Sequence, residues 1–141
     1  MPDSMTMSED IAVGTALPAF EKTFRPVDLM AYGAATWDWA RVHYDLPYAK
    51  TLAFPNVFVD GQNWGAIFAK QAMDWAGPRG FVVKMSLRFK TMVFAGDSVA
   101  LVGSVADIRT DAPFRIITLD QRITKGDQLV ATCITEARLP T

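Results

Sequence analysis

The spacing of apolar positions along the 141 residues changes character once, near residue 78. Before that point apolar residues recur at helical intervals. "VDLMAYGAAT", 27–36, reads as a helix that Pro26 can begin and that the early Asp28 favours through the helix dipole. "VFVDGQNWGAIFAKQAMDWAG", 57–77, is the most apolar helical stretch. Its Gly61, Gly65 and Ala69 fall four apart on one face, and Gly77 and Pro78 supply a stop. Residues 37–56, between the two, read as a loop stiffened by Pro47 and Pro55. After residue 80 the period becomes two. "FVVKMSLRFKTMVF" puts Lys84, Ser86, Arg88 and Lys90 on one face and Val83, Met85, Leu87 and Phe89 on the other. "GDSVALVGSVADI", "FRIITLDQRITK" and "LVATCITEARL" continue in the same way, with turns at Gly96-Asp97, Asp111-Ala112-Pro113 and Gly126-Asp127. A short strand candidate, "AFEKTFR", lies at 19–25, and the polar stretch 1–16 is expected to fray, with 1–12 flexible.

This pattern predicts an α+β fold in which a long antiparallel β-sheet wraps around one central apolar α-helix. The length suits one domain over 1–141. A sheet of this kind leaves an edge strand open, so pairing into a symmetric dimer through that edge or the sheet face is expected.

Charge and cysteine usage narrow the function classes. A formal net charge of -1, with no run of Lys or Arg, argues against nucleic-acid and membrane-surface partners. No apolar run approaches the length of a bilayer span, and "MPDSMTMSEDIAVG" does not read as a signal peptide. The lone Cys133 cannot form an internal disulfide, which points to a reducing, cytoplasmic setting.

The chemistry concentrates in "WDWARVHYDLPYA", 37–49. It holds the only histidine, His43, with Asp38 five positions before it and Asp45 two after. The chain has no second histidine, no cysteine pair, no Gly-rich phosphate loop and no serine in a G-x-S-x-G elbow. What remains is a carboxylate and an imidazole able to work on one water as base and acid. Trp37 and Trp39, on either side of Asp38, would supply low-dielectric surroundings that move its pKa. The plainer alternative is a polar surface loop with a structural histidine. Gly61 comes second: the first amides of a helix lack internal partners, and a glycine there lets a substrate oxygen approach them. The plainer reading of Gly61 is close packing of helix on sheet.

"FRPVDLMAYGAATWDWARVHYDLPYAKTLAFPNVFVDGQNWGAIF" resembles the hydratase/dehydratase signature of MaoC-like hot dog proteins, the family of (R)-specific enoyl-CoA hydratases. The matching positions are Asp38, His43, Asp45 two beyond it, Ala49 of the Tyr48-Ala49 pair, and Gly61 at the head of the central helix. "LRFKTMVFAGDSVALVGSV" resembles the later segment of the family, so the likeness spans about residues 13 to 138. "VHYD", "FVDG" and "DWAGP" are similar to MaoC-like subunits of bacterial steroid side-chain breakdown, a group that includes proteins working beside a second hot dog chain.

The resemblance implies a hot dog fold and (R)-specific addition or removal of water on an acyl-CoA thioester. It implies Asp38 and His43 as the acid/base pair and the Gly61 amide as the holder of the thioester oxygen. It also implies no metal and no redox cofactor, coenzyme A entering only as part of the substrate. The expected assembly is a homodimer or a hetero-oligomer with a second hot dog chain.

Two positions depart from the pattern. Ala40-Arg41 stands where the family often has Asn-Pro, and Asp60 stands where a His commonly precedes the glycine. Asp60 at the mouth of the oxyanion site admits a rival, a hot dog thioesterase using Asp60 as base or nucleophile. Its plainer role is a helix N-cap. A non-catalytic hot dog subunit is a third reading. On the substrate side, Trp37, Trp39 and Trp64 would shape an acyl pocket. Lys84, Arg88 and Lys90, on one strand face, would meet coenzyme A phosphates unless that face is simply solvated. Cys133 is expected to be inert.

Overall fold

The long helix begins at Gly61, the position read as its head, so residues 57–60 before it are not helical. In the computed structural model, which describes residues 11–141, Val57 to Asp60 run extended and Gly61–Ala76 form the helix, α3. Val57 and Val59 are both buried, an alternation of strand type that the unbroken apolar run conceals. Asp60 caps the helix: its side chain accepts from the Gln62 amide at 2.9 Å. Gly77, with φ of 74°, ends it as expected.

The earlier elements are β1 (Phe20–Thr23) and α1 (Pro26–Thr36). Pro26 and Asp28 start α1 as read: Asp28 accepts from the Arg25 amide at 2.8 Å. The expected loop 37–56 is partly helical. It holds a 3-10 turn, Arg41–His43, and a short helix, α2 (Leu46–Thr51), capped by Asp45. Residues 11–16 do not fray. Gly14 donates to Val105 O at 2.8 Å, Val105 donates to Thr15 O at 2.8 Å, and Ile11 and Leu17 are buried. Residues 1–10 of the stretch expected to be flexible lie outside the described residues.

Four long strands follow: β2 (Phe81–Phe89), β3 (Ser98–Asp111), β4 (Phe114–Lys125) and β5 (Gln128–Pro140). The sheet order is β1-β3-β4-β5-β2, antiparallel throughout. The turn at Gly96-Asp97 is therefore not a hairpin. Residues 90–97 carry the chain from the β2 edge across β5 and β4 to β3. They pass over the start of α3, where Val59 N donates to Val93 O at 2.8 Å and Ala95 N to Val57 O at 2.9 Å. Register shifts in β2, β3 and β5 let so long a sheet curl about the helix. The shift between Val82 and Lys84 also turns Val83 outward, so Val82, not Val83, joins Met85 and Leu87 on the core face.

Trp64, Ile67, Phe68, Gln71, Ala72 and Trp75 are the buried stripe of α3. Two apolar clusters lie under its two halves, one around Phe24, Trp64 and Phe68 and one around Leu17, Trp75 and Leu119. A buried polar layer marks the boundary. Gln121 Nε2 donates to Phe68 O and to Gln71 Oε1, both at 2.9 Å, and Thr135 Oγ1 donates to Gln121 Oε1 at 2.6 Å. Such a layer fixes the rotation and height of α3, because any slip would strand buried polar groups at about 1–3 kcal/mol each.

The glycine face of α3 meets β2. A Cβ on Gly65 would lie 3.5 Å from Leu87 Cδ2, an ordinary contact. Gly65→Ala should therefore stabilise the fold by up to about 1 kcal/mol, the helix cost of a mid-helix glycine. Urea unfolding checks this: the midpoint should rise at unchanged slope, whereas a lower midpoint would mean that β2 has no room for the methyl.

Candidate active site

Three parts of the chain bring the candidate residues together. Helix α1 ends at Trp37, whose φ of 59° is left-handed, an uncommon and costly conformation for a tryptophan. This turn is held by Gly33 O, which accepts from Asp38 N at 3.0 Å. It is possible only because residue 33 is glycine: a Cβ there would sit 2.8 Å from Asp38 O. Asp38 Oδ1 then accepts from Ala40 N at 3.1 Å, which orients the carboxylate.

His43 follows at the end of the 3-10 turn. Its Nδ1 lies 2.7 Å from Phe58 O, and a carbonyl only accepts, so Nδ1 carries the proton and Nε2 is left for other work. The Phe58 ring packs edge-on against the imidazole, with centroids 4.9 Å apart. Phe58 in turn precedes Val59 and Asp60. One carboxyl oxygen of Asp38, one of Asp60 and a ring nitrogen of His43 all lie within 4.8 Å of one another. That spacing lets the two carboxyls and the imidazole act on a common small group placed between them.

The electrostatics of the two carboxyls are opposite. Burial first, then the hydrogen bond with Asp38, pushes Asp60 above the ordinary aspartate value. The hydrogen bond with Asp60, then the Ala40 amide and the charge of His43, holds Asp38 below it. This corrects the expectation that flanking tryptophans desolvate Asp38. Trp37 is 80% exposed and Trp39 46% exposed, stacked edge-on on each other with centroids 5.8 Å apart. The desolvated acid is Asp60.

Gly61 adjoins Asp60. Gln62 N donates to Asp60 Oδ1 and Asn63 N to Asp60 O, which leaves the Gly61 N–H without a partner among the described residues. A Cβ at Gly61 would meet only the Phe89 ring, at 3.8 Å. Packing therefore does not demand this glycine. It opens onto a groove of about 240 Å³ lined by Phe58, Val59, Trp64, Phe89, Lys90 and Met92, with Gly61 and Thr91.

Trp64 is both groove wall and core, in edge-on contact with Phe24 at 5.3 Å. Trp37 and Trp39 do not line the groove. Arg88 is exposed on the face of β2 turned away from α3, since Leu87 and Phe89 are the residues that meet the helix glycines. The cation at the groove is Lys90, just past the end of the strand. Asp45 is structural: it caps α2 through Tyr48 N and takes the Arg41 guanidinium at 2.7 Å. Arg41 also lies over the Tyr48 ring at 4.2 Å, so these contacts brace the loop where the common Asn-Pro is missing. Cys133 is buried, and burial pushes its thiol up, in keeping with an inert role. Sequence reasoning missed Gly33 and the Phe58 carbonyl. An isolated glycine inside a helical pattern was the one available signal for the former.

With this geometry in hand, comparison with known proteins is decisive. Residues 9–124 match the model of the MaoC like domain. The chain belongs to the MaoC-like family. It is 32% identical over 121 residues to the (R)-specific enoyl-CoA hydratase of Aeromonas caviae, covering 84% of this chain and 89% of that one. The solved (R)-hydratase from A. caviae, involved in PHA biosynthesis, superposes with a TM-score of 0.84 at 30% identity, over 94% of this chain and 100% of that one. A chain of the ChsH1-ChsH2 complex from Mycobacterium tuberculosis gives 0.83 at 24% identity, over 91% and 98%. The fold of this MaoC-like chain is thus the hot dog, a sheet wrapped on α3. Among the described residues, no helix is long and apolar enough to cross a membrane.

If Gly33 serves to bring Asp38 in, Gly33→Ala should give a folded protein with its Asp38 backbone displaced. A shift of about 1 Å in a reacting group costs roughly 10²-fold. A circular dichroism spectrum like that of wild type with kcat/KM reduced on that scale is the expected result; undiminished kcat/KM would mean that Asp38 tolerates the move.

Proposed function

We propose that this MaoC-like protein is an (R)-specific enoyl-thioester hydratase, acting as a 3-hydroxyacyl-thioester dehydratase in reverse, on an acyl-CoA. The observation that carries the reading is the meeting of Asp38 and His43 beside the unpartnered amide of Gly61. Water held between the Asp38 carboxylate and His43 Nε2 gives its oxygen to the β-carbon and one proton to the pair, and the pair returns a proton to the α-carbon. The thioester oxygen, gaining negative charge, lies at the Gly61 N–H at the positive end of α3. One such donor contributes about 3–4 kcal/mol to the barrier. The reaction has no net redox change and so requires no redox cofactor, coenzyme A being part of the substrate; the acid/base pair and the Gly61 amide supply the proposed chemistry without a metal ion.

The electrostatics favour hydration over thioester hydrolysis by Asp60. A nucleophile or base must be ionised, and burial pushes Asp60 towards its acid form while Asp38 is held as the carboxylate. The aromatic groove at Gly61, together with "VHYD", "FVDG" and "DWAGP", supports a bulky, steroid-type acyl chain. Of Lys84, Arg88 and Lys90, the three cations read from sequence as meeting coenzyme A phosphates, Lys90 is the one that lines the groove and is assigned that role. Exposed Trp37, Trp39 and Tyr44, stacked in series, form an apolar face suited to a second hot dog chain, identical or not. The free Cys133 suits work in the cytoplasm.

A panel of enoyl thioesters, from short-chain to steroid-sized, tests this directly. Asp38→Asn and His43→Ala should each lower kcat/KM by roughly 10²–10⁴-fold. Release of free thiol with the double bond intact would sink the hydratase and favour a thioesterase. An inactive chain whose partner subunit works equally well beside either variant would favour a non-catalytic role.

Gly61→Ala separates packing from chemistry. Since the added Cβ makes only ordinary contacts, stability in urea should hold or rise. Turnover should fall by roughly 10²-fold as the methyl keeps the thioester from the amide. A fully active Gly61→Ala would remove the Gly61 amide from the mechanism.

A further inference from the structure

Asp60 is used by the fold only in part. Oδ1 takes the Gln62 amide at 2.9 Å, whereas Oδ2 is buried and has no hydrogen-bond partner among the described residues if the group is a carboxylate. A buried acceptor without a donor is costly. Two groups lie within 4.8 Å: the His43 ring, whose Nδ1 proton is committed to Phe58 O, and a second carboxylate, Asp38, whose Oδ1 is engaged by Ala40 N. Two carboxylates so close do not both ionise cheaply, and a single proton between them resolves the repulsion and the orphaned oxygen together.

We propose that Asp60 carries a proton on Oδ2 and donates it to the Asp38 carboxylate, making Asp60 a positioning residue that sets the ionisation and direction of the water-binding base. The proton resides on Asp60 and not on Asp38 because Asp60 is the desolvated partner, while Asp38 has the Ala40 amide and the imidazole to stabilise its charge. The groups facing Asp60 are few. From the 38–43 loop come Asp38 and His43, of which the imidazole charge opposes the protonated state and the carboxylate favours it. From α1 comes Tyr32, whose phenol is pushed up by burial and by the charges of Asp60 and Asp38. From its own helix comes the Gln62 amide, which opposes protonation. From the segment after β2, the charged residue lining the adjoining groove is Lys90. Burial and the Asp38 hydrogen bond outweigh the opposing contributions. The kinetic part of this proposal rests on the hydratase reading; the proton itself does not.

Carbon-13 NMR titration of the aspartate carboxyls in the full chain tests the proton without any substrate. Wild type should show one carboxyl that titrates above the ordinary aspartate range. That signal should vanish in Asp60→Asn and move down in Asp38→Asn, while in Asp60→Ala, which has no donor, the Asp38 signal should move up. A wild type in which no aspartate titrates above the ordinary range overturns the proposal.

Kinetics give the second readout. As pH rises through the Asp60 pKa, a second negative charge appears beside the Gly61 amide where the enolate forms, so wild-type kcat/KM should fall. Asp60→Asn keeps a donor for Asp38 but cannot ionise, so this fall with rising pH should disappear. Its kcat/KM on the low-pH side of the wild-type fall should drop by about tenfold or less, against the roughly 10²–10⁴-fold of a group that transfers a proton directly. An Asp60→Asn that keeps the wild-type fall overturns the proposal. If the carboxyls titrate as described and no enoyl thioester is hydrated, the shared proton stands and the hydratase reading fails.

Discussion

The hydrogen bond from His43 Nδ1 to the Phe58 carbonyl joins two segments on which the rest of the site depends. Residues 57–60 form a strap between the loop after α1 and the crossover after β2. On one side Phe58 N donates to Val42 O at 3.3 Å; on the other Val59 N donates to Val93 O and Ala95 N to Val57 O. Val57 and Val59 anchor the strap in the core, and Asp60 ends it by capping α3. The imidazole is thus oriented by the same few residues that fix where the helix begins. Loosening the strap would free the histidine, the cap and the Gly61 amide together, because one stretch of backbone positions all three.

The buried polar layer at Gln71, Gln121 and Thr135 acts further along the same helix. It sets the height of α3 against β4 and β5, and Gln71 also donates to Pro18 O at 2.8 Å, which ties the segment before β1 to the helix. The strap decides where α3 begins, and this layer decides how it is turned. Neither function could be met by apolar packing alone, which is non-directional. A helix lying in a curled sheet could otherwise slide or roll at little cost.

How far the sequence was legible follows from which signals are local. The strands, the start of α1 and the stop of α3 rest on period and punctuation, and they appear where those signals lie. The strap did not, because "VFV" preceding a helix has no period of its own, and its strand character comes from residues 93–95, far along the chain. Val83 was misplaced because a register shift against β5 is not written in the pattern of β2 alone. Asp38 and His43 were found from their types and spacing. Their electrostatics were misassigned, since desolvation depends on what the fold places nearby: the tryptophans adjacent in sequence to Asp38 point into solvent, while the strap draws Asp60 inward.

Two glycines at this site illustrate how the same residue serves opposite needs. Gly33 lacks a side chain so that the chain can close on itself, with the Asp38 carbonyl occupying the place of a Cβ. Gly61 lacks one although the fold leaves space for it, with only the Phe89 ring at ordinary distance. A glycine that the fold requires says nothing about ligands. One that costs helix stability at a helix start and relieves no clash calls for another explanation, and an unpartnered N–H facing an apolar groove supplies it. Among the described residues of this chain nothing fills the space at Gly61, and the proposed reading assigns it to the thioester. The Asp38 and Asp60 carboxyls and the His43 ring, within 4.8 Å of one another beside it, suit the proton transfers that this reading requires.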